Sequence, residues 1–145
     1  MSFELNLTYI RTNTRGKIIA AEAAFGLLGG IINIVWGGLA GPLLGFTFWT
    51  TLIISGNIVL LTTCNVYEKI YAKIGNLLVQ LEQCYIGLWI LFYAISTILS
   101  FITWGLSNLV AYIELVLFIV DGYFHYKSPR FTADAEQSIP EEQID

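Results

Sequence analysis

Four carboxylates lie within apolar stretches of this sequence: Glu22, Glu82, Glu114 and Asp121. In a helix that crosses a bilayer, an acidic side chain costs roughly 2.5 to 3.5 kcal/mol, so each one needs a physical reason to be there. Glu114 and Asp121 are seven residues apart, which places them on the same face of one helix. Counted along each helix from the nearer end of its apolar stretch, Glu22, Glu82 and Asp121 lie about 8 Å inside the membrane. Glu114 lies deeper, near the middle of the bilayer. The pattern predicts three carboxylates at one level of a helical bundle.

Two kinds of chemistry fit these carboxylates. One is a proton-linked or cation-binding cluster of the kind that small transporters use, with Asn33 and Asn57 as neutral partners. The other is hydrogen bonding between helices by protonated carboxyl groups, which contributes about 0.6 to 2 kcal/mol for each bond. We expect no Lys or Arg inside the apolar stretches to neutralise them, and Lys17 or Lys73 reaches only the shallow ones by snorkelling.

Small residues mark one face of the first apolar stretch. Gly26 and Gly30 have the spacing of a GxxxG motif. Such a face lets two helices approach closely, because no side chain separates their backbones. The motif fits packing within one chain and also packing between copies in a homo-oligomer, and the sequence leaves both open.

The elements that carry these residues follow from composition and hydropathy. The chain has 145 residues, of which 56% are hydrophobic and 12% charged, far more apolar than a soluble domain. Each apolar stretch is near the ~20 residues that span a bilayer. We predict transmembrane helices at about residues 17–38, 43–63, 77–101 and 106–126, with the last turn at Thr103 to Asn108. A short N-terminal segment, 1–16, precedes this membrane domain, 17–126, and a disordered acidic tail, 127–145, follows it.

Orientation is predicted by the positive-inside rule. All seven basic residues fall on one side of the predicted helices: Arg11, Arg15, Lys17, Lys69, Lys73, Lys127 and Arg130. This count predicts an all-α, M-shaped four-helix bundle with both termini and the middle loop in the cytosol.

Several function classes are excluded or disfavoured by composition. Scattered basic residues make no track for nucleic acid, so no nucleic-acid partner is expected. One His and two isolated Cys supply no metal site, no enzyme motif is present, and no cofactor is expected.

His125 is expected to snorkel to the inner interface. Cys64 is juxtamembrane and a candidate for palmitoylation.

The segments Tyr9–Thr12 and Arg15–Ile19, followed by Glu22, resemble the entry to the first helix of MARVEL-domain proteins, the family of plasmolipin and the chemokine-like-factor group. Glu82 near the start of the third helix and the short connections extend the resemblance over residues 9 to 126. The paired outer cysteines of some members are absent. The resemblance implies a non-enzymatic organiser of cholesterol-rich membrane microdomains that assists vesicle traffic. Its partners would be membrane lipids, including cholesterol, and other membrane proteins, at the plasma membrane or on endosomal and Golgi vesicles.

Two other functions remain open from the residues. A small proton- or ion-coupled transporter would use the four intramembrane carboxylates, although the fixed orientation differs from small exporters that insert both ways. A structural cell-junction protein acting by self-association is the third hypothesis.

Overall fold

A computed structural model describes residues 7–37, 40–102 and 104–127. Within these ranges the chain forms helices and no strand: α1 (Thr8–Thr12), α2 (Thr14–Trp36), α3 (Gly41–Thr63), α4 (Val66–Ser100) and α5 (Leu106–Lys127). The last four helices are each long and apolar enough to cross a membrane. The predicted fold class, an all-α four-helix bundle, is confirmed, and the chain is a multi-pass membrane protein. The predicted disordered tail lies outside the described residues.

Helix α2 begins three residues earlier than predicted. Asn13 is its N-cap, and the Asn13 side chain accepts a hydrogen bond of 2.9 Å from the Arg15 backbone N–H. The cap draws Arg15 and Gly16, which the sequence predicted to lie in the cytosolic N-terminus, into the buried part of the helix. This shift changes the charge inside the bundle.

The turn between α2 and α3 is short, since α2 ends at Trp36 and α3 begins at Gly41. Pro42 lies in the first turn of α3, where its missing N–H costs nothing. The Asn33 side chain donates a hydrogen bond of 2.8 Å to the Gly41 carbonyl and so ties the end of α2 to the start of α3. The two helices form a hairpin.

The predicted middle loop, 64–76, is wrong, because helix α4 begins at Val66. The chain reverses through Asn65, which adopts a left-handed conformation at φ 56°, and Asn tolerates that conformation better than other non-glycine residues. Helix α4 then breaks at Ile74, whose φ and ψ are −133° and 28°. A short first segment, 66–73, therefore precedes the long membrane-crossing segment.

The turn between α4 and α5 lies earlier than predicted. Helix α4 ends at Ser100 and α5 begins at Leu106, so Ser107 and Asn108 belong to α5 and are buried. Their polar side chains face the bundle: the Ser107 hydroxyl donates to the Trp36 carbonyl at 3.4 Å. This bond joins the end of α2 to the start of α5.

Aromatic side chains fill the centre of the bundle. Phe48, Tyr93 and Phe118 are wholly buried, and the Tyr93 ring lies 5.8 Å from Phe48 and 5.7 Å from Phe118 between ring centroids. Helix α2 contributes glycines to this contact instead of large side chains. A Cβ at Gly26 would lie 3.1 Å from the backbone of α3, at Leu52 N and Phe48 O. The backbones of α2 and α3 are in close contact there.

Candidate functional site

Arg15 is the centre of a buried ion-pair cluster at one end of the bundle. Its Nε donates a hydrogen bond of 2.8 Å to Asp121 Oδ1 on α5, and its Nη2 donates one of 3.0 Å to Glu82 Oε2 on α4. All three side chains are buried. The planar guanidinium can serve two carboxylates at once because it presents its donors in a fixed fork. Three helices are thereby joined through one side chain.

Tyr67 and His125 complete this arginine cluster. The Tyr67 hydroxyl donates a hydrogen bond to Glu82 Oε1. In a straight helix, a separation of fifteen residues would place their Cα atoms about 22 Å apart, so the break at Ile74 is what folds Tyr67 back onto Glu82. His125 Nδ1 lies 3.7 Å from Glu82 Oε2.

Two sequence predictions are wrong at this cluster. An arginine does lie inside the bundle and neutralises intramembrane carboxylates, because the Asn13 cap starts α2 before Arg15. His125 does not snorkel to the interface: it is 5% exposed, since its place on α5 is one turn from Asp121 and faces the same arginine. With neutral His125, the cluster carries one positive and two negative charges.

A second polar layer lies about two helical turns, or roughly 10 Å, deeper in the bundle, at Glu22 of α2 and Glu114 of α5. Ser55 of α3 donates a hydrogen bond of 3.0 Å to Glu22 Oε2. The Tyr85 hydroxyl of α4 lies 3.1 Å from the Ser55 hydroxyl. Glu22 and Glu114 are near enough to interact electrostatically. All four membrane-crossing helices therefore contribute to this layer.

The carboxyl pair is incompletely satisfied. Glu22 Oε1 and both carboxyl oxygens of Glu114 are buried without a hydrogen-bond partner. The predicted single level of Glu22, Glu82 and Asp121 is therefore wrong: Arg15 gathers the last two, whereas Glu22 lies with Glu114. A buried polar group left unpaired costs free energy, so these three oxygens destabilise the layer as it stands.

The other residues singled out from the sequence have separate places. Asn33 closes the α2–α3 turn. Gly26 and Gly30 are buried against α3. Asn57 does not join the polar layers: it is exposed on α3, and its side chain donates a bond of 2.6 Å to the Ile53 carbonyl of its own helix. Cys64 is a half-buried free cysteine at the end of α3.

Beyond these two polar layers, further pairs of hydroxyl groups lie toward the opposite end of the bundle. Thr51 of α3 and Tyr93 of α4 are hydrogen-bonded at 3.0 Å, and Ser100 of α4 and Tyr112 of α5 at 2.5 Å. Among residues 7–37, 40–102 and 104–127, no group of three or more His, Cys, Asp or Glu side chains has the arrangement of a metal site. The interior is polar at several levels and linked mainly by hydroxyls.

An apolar cavity of about 180 Å³ lies between α3 and the two segments of α4. Ile54, Ile58 and Leu61 line it from α3, and Leu78 and Leu81 from α4. Tyr67 and Glu82 of the arginine cluster also line it. The break in α4 opens this recess beside the charged end of the bundle.

Comparison with known protein families, curated proteins and solved structures finds no match to this chain. The resemblance to MARVEL-domain proteins therefore stays a prediction.

Sequence reasoning missed Arg15 because a basic residue before an apolar stretch is typical of a cytosolic flank. A signal was present: Asn13 is a strong N-cap residue, and an N-cap there starts the helix at Thr14. Arg15 is then seven residues before Glu22, on the same face. Tyr67 carried no comparable signal, because its contact depends on the break at Ile74.

Proposed function

We propose that the protein is a non-enzymatic, four-pass organiser of membrane microdomains that accompanies other membrane proteins in vesicle traffic. The observation that carries the proposal is the contrast between the inside and the outside of the bundle. Inside, the charged groups at one end are hydrogen-bonded to one another through Arg15 and are buried from the surroundings. Outside, large apolar side chains on all four membrane-crossing helices are exposed, among them Ile34, Ile53, Leu91 and Val116. The outer surface of the bundle is therefore suited to contact with lipid chains.

The exposed charges support the same proposal. Among the described residues, the exposed basic side chains all lie at the end of the bundle that holds the arginine cluster: Arg11, Lys17, Lys69, Lys73 and Lys127. Such an end suits the anionic cytosolic leaflet, where each basic residue contributes about 1 kcal/mol. The apolar cavity at the same end offers a recess to a lipid chain. We place this end in the cytosol.

Tag accessibility tests that orientation. We expect a tag at either terminus to be reached by antibody only after cells are permeabilised, because every described basic residue lies at the end that holds the chain ends. A tag inserted between Gly37 and Gly41, in the turn at the opposite end, should be reached in intact cells. Surface labelling of a terminal tag in intact cells would reverse the topology and remove the basis for contact between the basic end and the cytosolic leaflet.

Reconstitution tests the organising function against a second candidate, proton-coupled transport, which the hydroxyl-linked line of buried polar groups favours. Giant vesicles that separate into ordered and disordered lipid phases are prepared with the full chain and with Glu114→Gln, which keeps a polar group and removes proton exchange. An organiser should partition into the ordered phase, and Glu114→Gln should leave that partition unchanged. A carrier should acidify or alkalinise the lumen in response to a pH difference, and the variant should abolish that flux.

Glu114→Gln is the suitable probe because Glu114 has no hydrogen-bond partner to lose. Glu82→Gln would break the bonds to Arg15 and Tyr67, so its effect on stability would obscure its effect on transport. Exclusion of the wild-type chain from the ordered phase, together with a proton flux that Glu114→Gln abolishes, would reject the organiser and support the carrier.

A further inference from the structure

Three carboxyl oxygens near the middle of the bundle have no hydrogen-bond donor: Oε1 of Glu22 and both oxygens of Glu114. The two side chains are 1% and 0% exposed. Glu22 and Glu114 interact electrostatically, yet no hydrogen bond joins them. Burial without a donor is costly for a carboxyl oxygen, and two such groups on facing helices point to a positively charged occupant between them.

Two hydroxyl groups near Glu22 can support an ionised carboxylate. Ser55 donates its hydroxyl hydrogen to Glu22 Oε2. The Tyr85 hydroxyl, 3.1 Å from the Ser55 oxygen, can donate to Ser55 in turn. Neither hydroxyl is hydrogen-bonded to Glu22 Oε1. The unpartnered Oε1 is left for a cation.

The surrounding charges do not supply that cation. The charged groups that act on Glu22 are Arg15 of its own helix, Glu82 of α4, and Asp121 of α5. Helix α3 contributes no charged residue. Arg15 is already hydrogen-bonded to Glu82 and Asp121. The titratable groups that act on or are acted on by Glu114 are Glu22, Tyr85 and Tyr93. The interior therefore has more acidic groups than basic ones.

We propose that Glu22 and Glu114 bind one small monovalent cation, Na⁺, between α2 and α5. A divalent ion fits poorly, because Ca²⁺ takes six to eight oxygen ligands and the described residues hold no cluster of three acidic or imidazole groups that could bind a metal. The buried rings of Tyr93 and Phe118 leave this part of the bundle closed to a large organic cation. The site stands independently of whether the protein organises membranes or carries ions.

Thermal unfolding of the purified full-length protein in lipid nanodiscs tests the site. Na⁺ is exchanged for choline at constant ionic strength, over a series of pH values. An occupant that binds only the folded state raises the unfolding temperature, by about 3 to 6 °C at roughly ten times its dissociation constant. If the occupant is Na⁺, the midpoint should rise with Na⁺, less so at low pH where protons compete. If the carboxyl groups are instead protonated and no ion binds, the midpoint should ignore Na⁺ and fall as pH rises, which would overturn the proposal.

Glu114→Gln should remove most of the dependence on Na⁺. Glu68→Gln is the matched control, because Glu68 is an exposed acid at the start of α4 and should keep the full dependence. Should Glu114→Gln fail to fold, Ser55→Ala keeps both carboxyl groups and removes the donor to Glu22, so it should weaken the response to Na⁺. The proposal is overturned if wild-type stability is indifferent to Na⁺ at every pH, or if the folded Glu114→Gln protein keeps the wild-type response to Na⁺.

Discussion

Replacing Arg15 with Gln is expected to destabilise the folded bundle by about 3 to 5 kcal/mol, because it leaves the buried carboxylates of Glu82 and Asp121 without their cation. Glutamine is uncharged, and its single amide group cannot donate to two carboxylates at once as the planar guanidinium does. The measurement is reversible unfolding in mixed micelles of increasing denaturing detergent, followed by helical circular dichroism.

Lys17→Gln is the matched control for Arg15→Gln. Lys17 is on the same helix and is basic, but its side chain is exposed, so its loss should change the unfolding free energy by less than about 0.5 kcal/mol. Equal stability of the two variants would contradict a structural role for the arginine cluster.

Removing the partners of Arg15 should rescue the loss. In a chain that already carries Glu82→Gln and Asp121→Asn, Arg15→Gln leaves no uncompensated buried carboxylate in the cluster, so most of its cost should disappear. If Arg15→Gln costs as much in that background as in the wild type, its effect comes from the packing of the side chain and not from the ion pairs.

The fold was predictable because a bilayer limits the choices. Every backbone polar group must be satisfied within the membrane, so long apolar stretches become helices, and four such stretches give the four-helix bundle. The same reasoning sets the approximate helix lengths. Helix starts were predicted less well, because apolarity alone does not set them. The starts at Thr14 and Val66 depend on the N-cap at Asn13 and the turn at Asn65.

The site was predictable in its residue types and not in its pairings. Apolar surroundings alone single out Glu22, Glu82, Glu114 and Asp121. Their pairing depends on how far each helix is shifted along its axis relative to its neighbours, and on the break at Ile74. Sequence periodicity predicts neither of these features. Depth counted from the predicted helix ends misplaced Glu22, because the true start of α2 is three residues earlier.

Gly29 shows a similar limit. A GxxxG search finds Gly26 and Gly30 but misses Gly29, the position at which an added side chain is least tolerated. A Cβ at Gly29 would lie 2.5 Å from the Phe48 ring, closer than real Cβ contacts come. Phe48 is wholly buried against Tyr93, so its ring has no free space to move into. Gly29→Ala should therefore cost about 1 to 3 kcal/mol of unfolding free energy through overpacking.

Gly56→Ala separates this packing cost from the helical preference of alanine. Nothing lies within 4 Å of a Cβ at Gly56, so alanine there should stabilise α3 by about 1 kcal/mol, the propensity gain alone. The difference between the two variants, measured by detergent unfolding, gives the cost of the contact with Phe48.

In a Phe48→Leu background the smaller side chain relieves the clash, so Gly29→Ala should cost less there than in the wild type. An unchanged cost would mean that α2 is held against α3 by other contacts, and that the backbone approach at Gly26, not the Phe48 ring, sets the distance between the two helices.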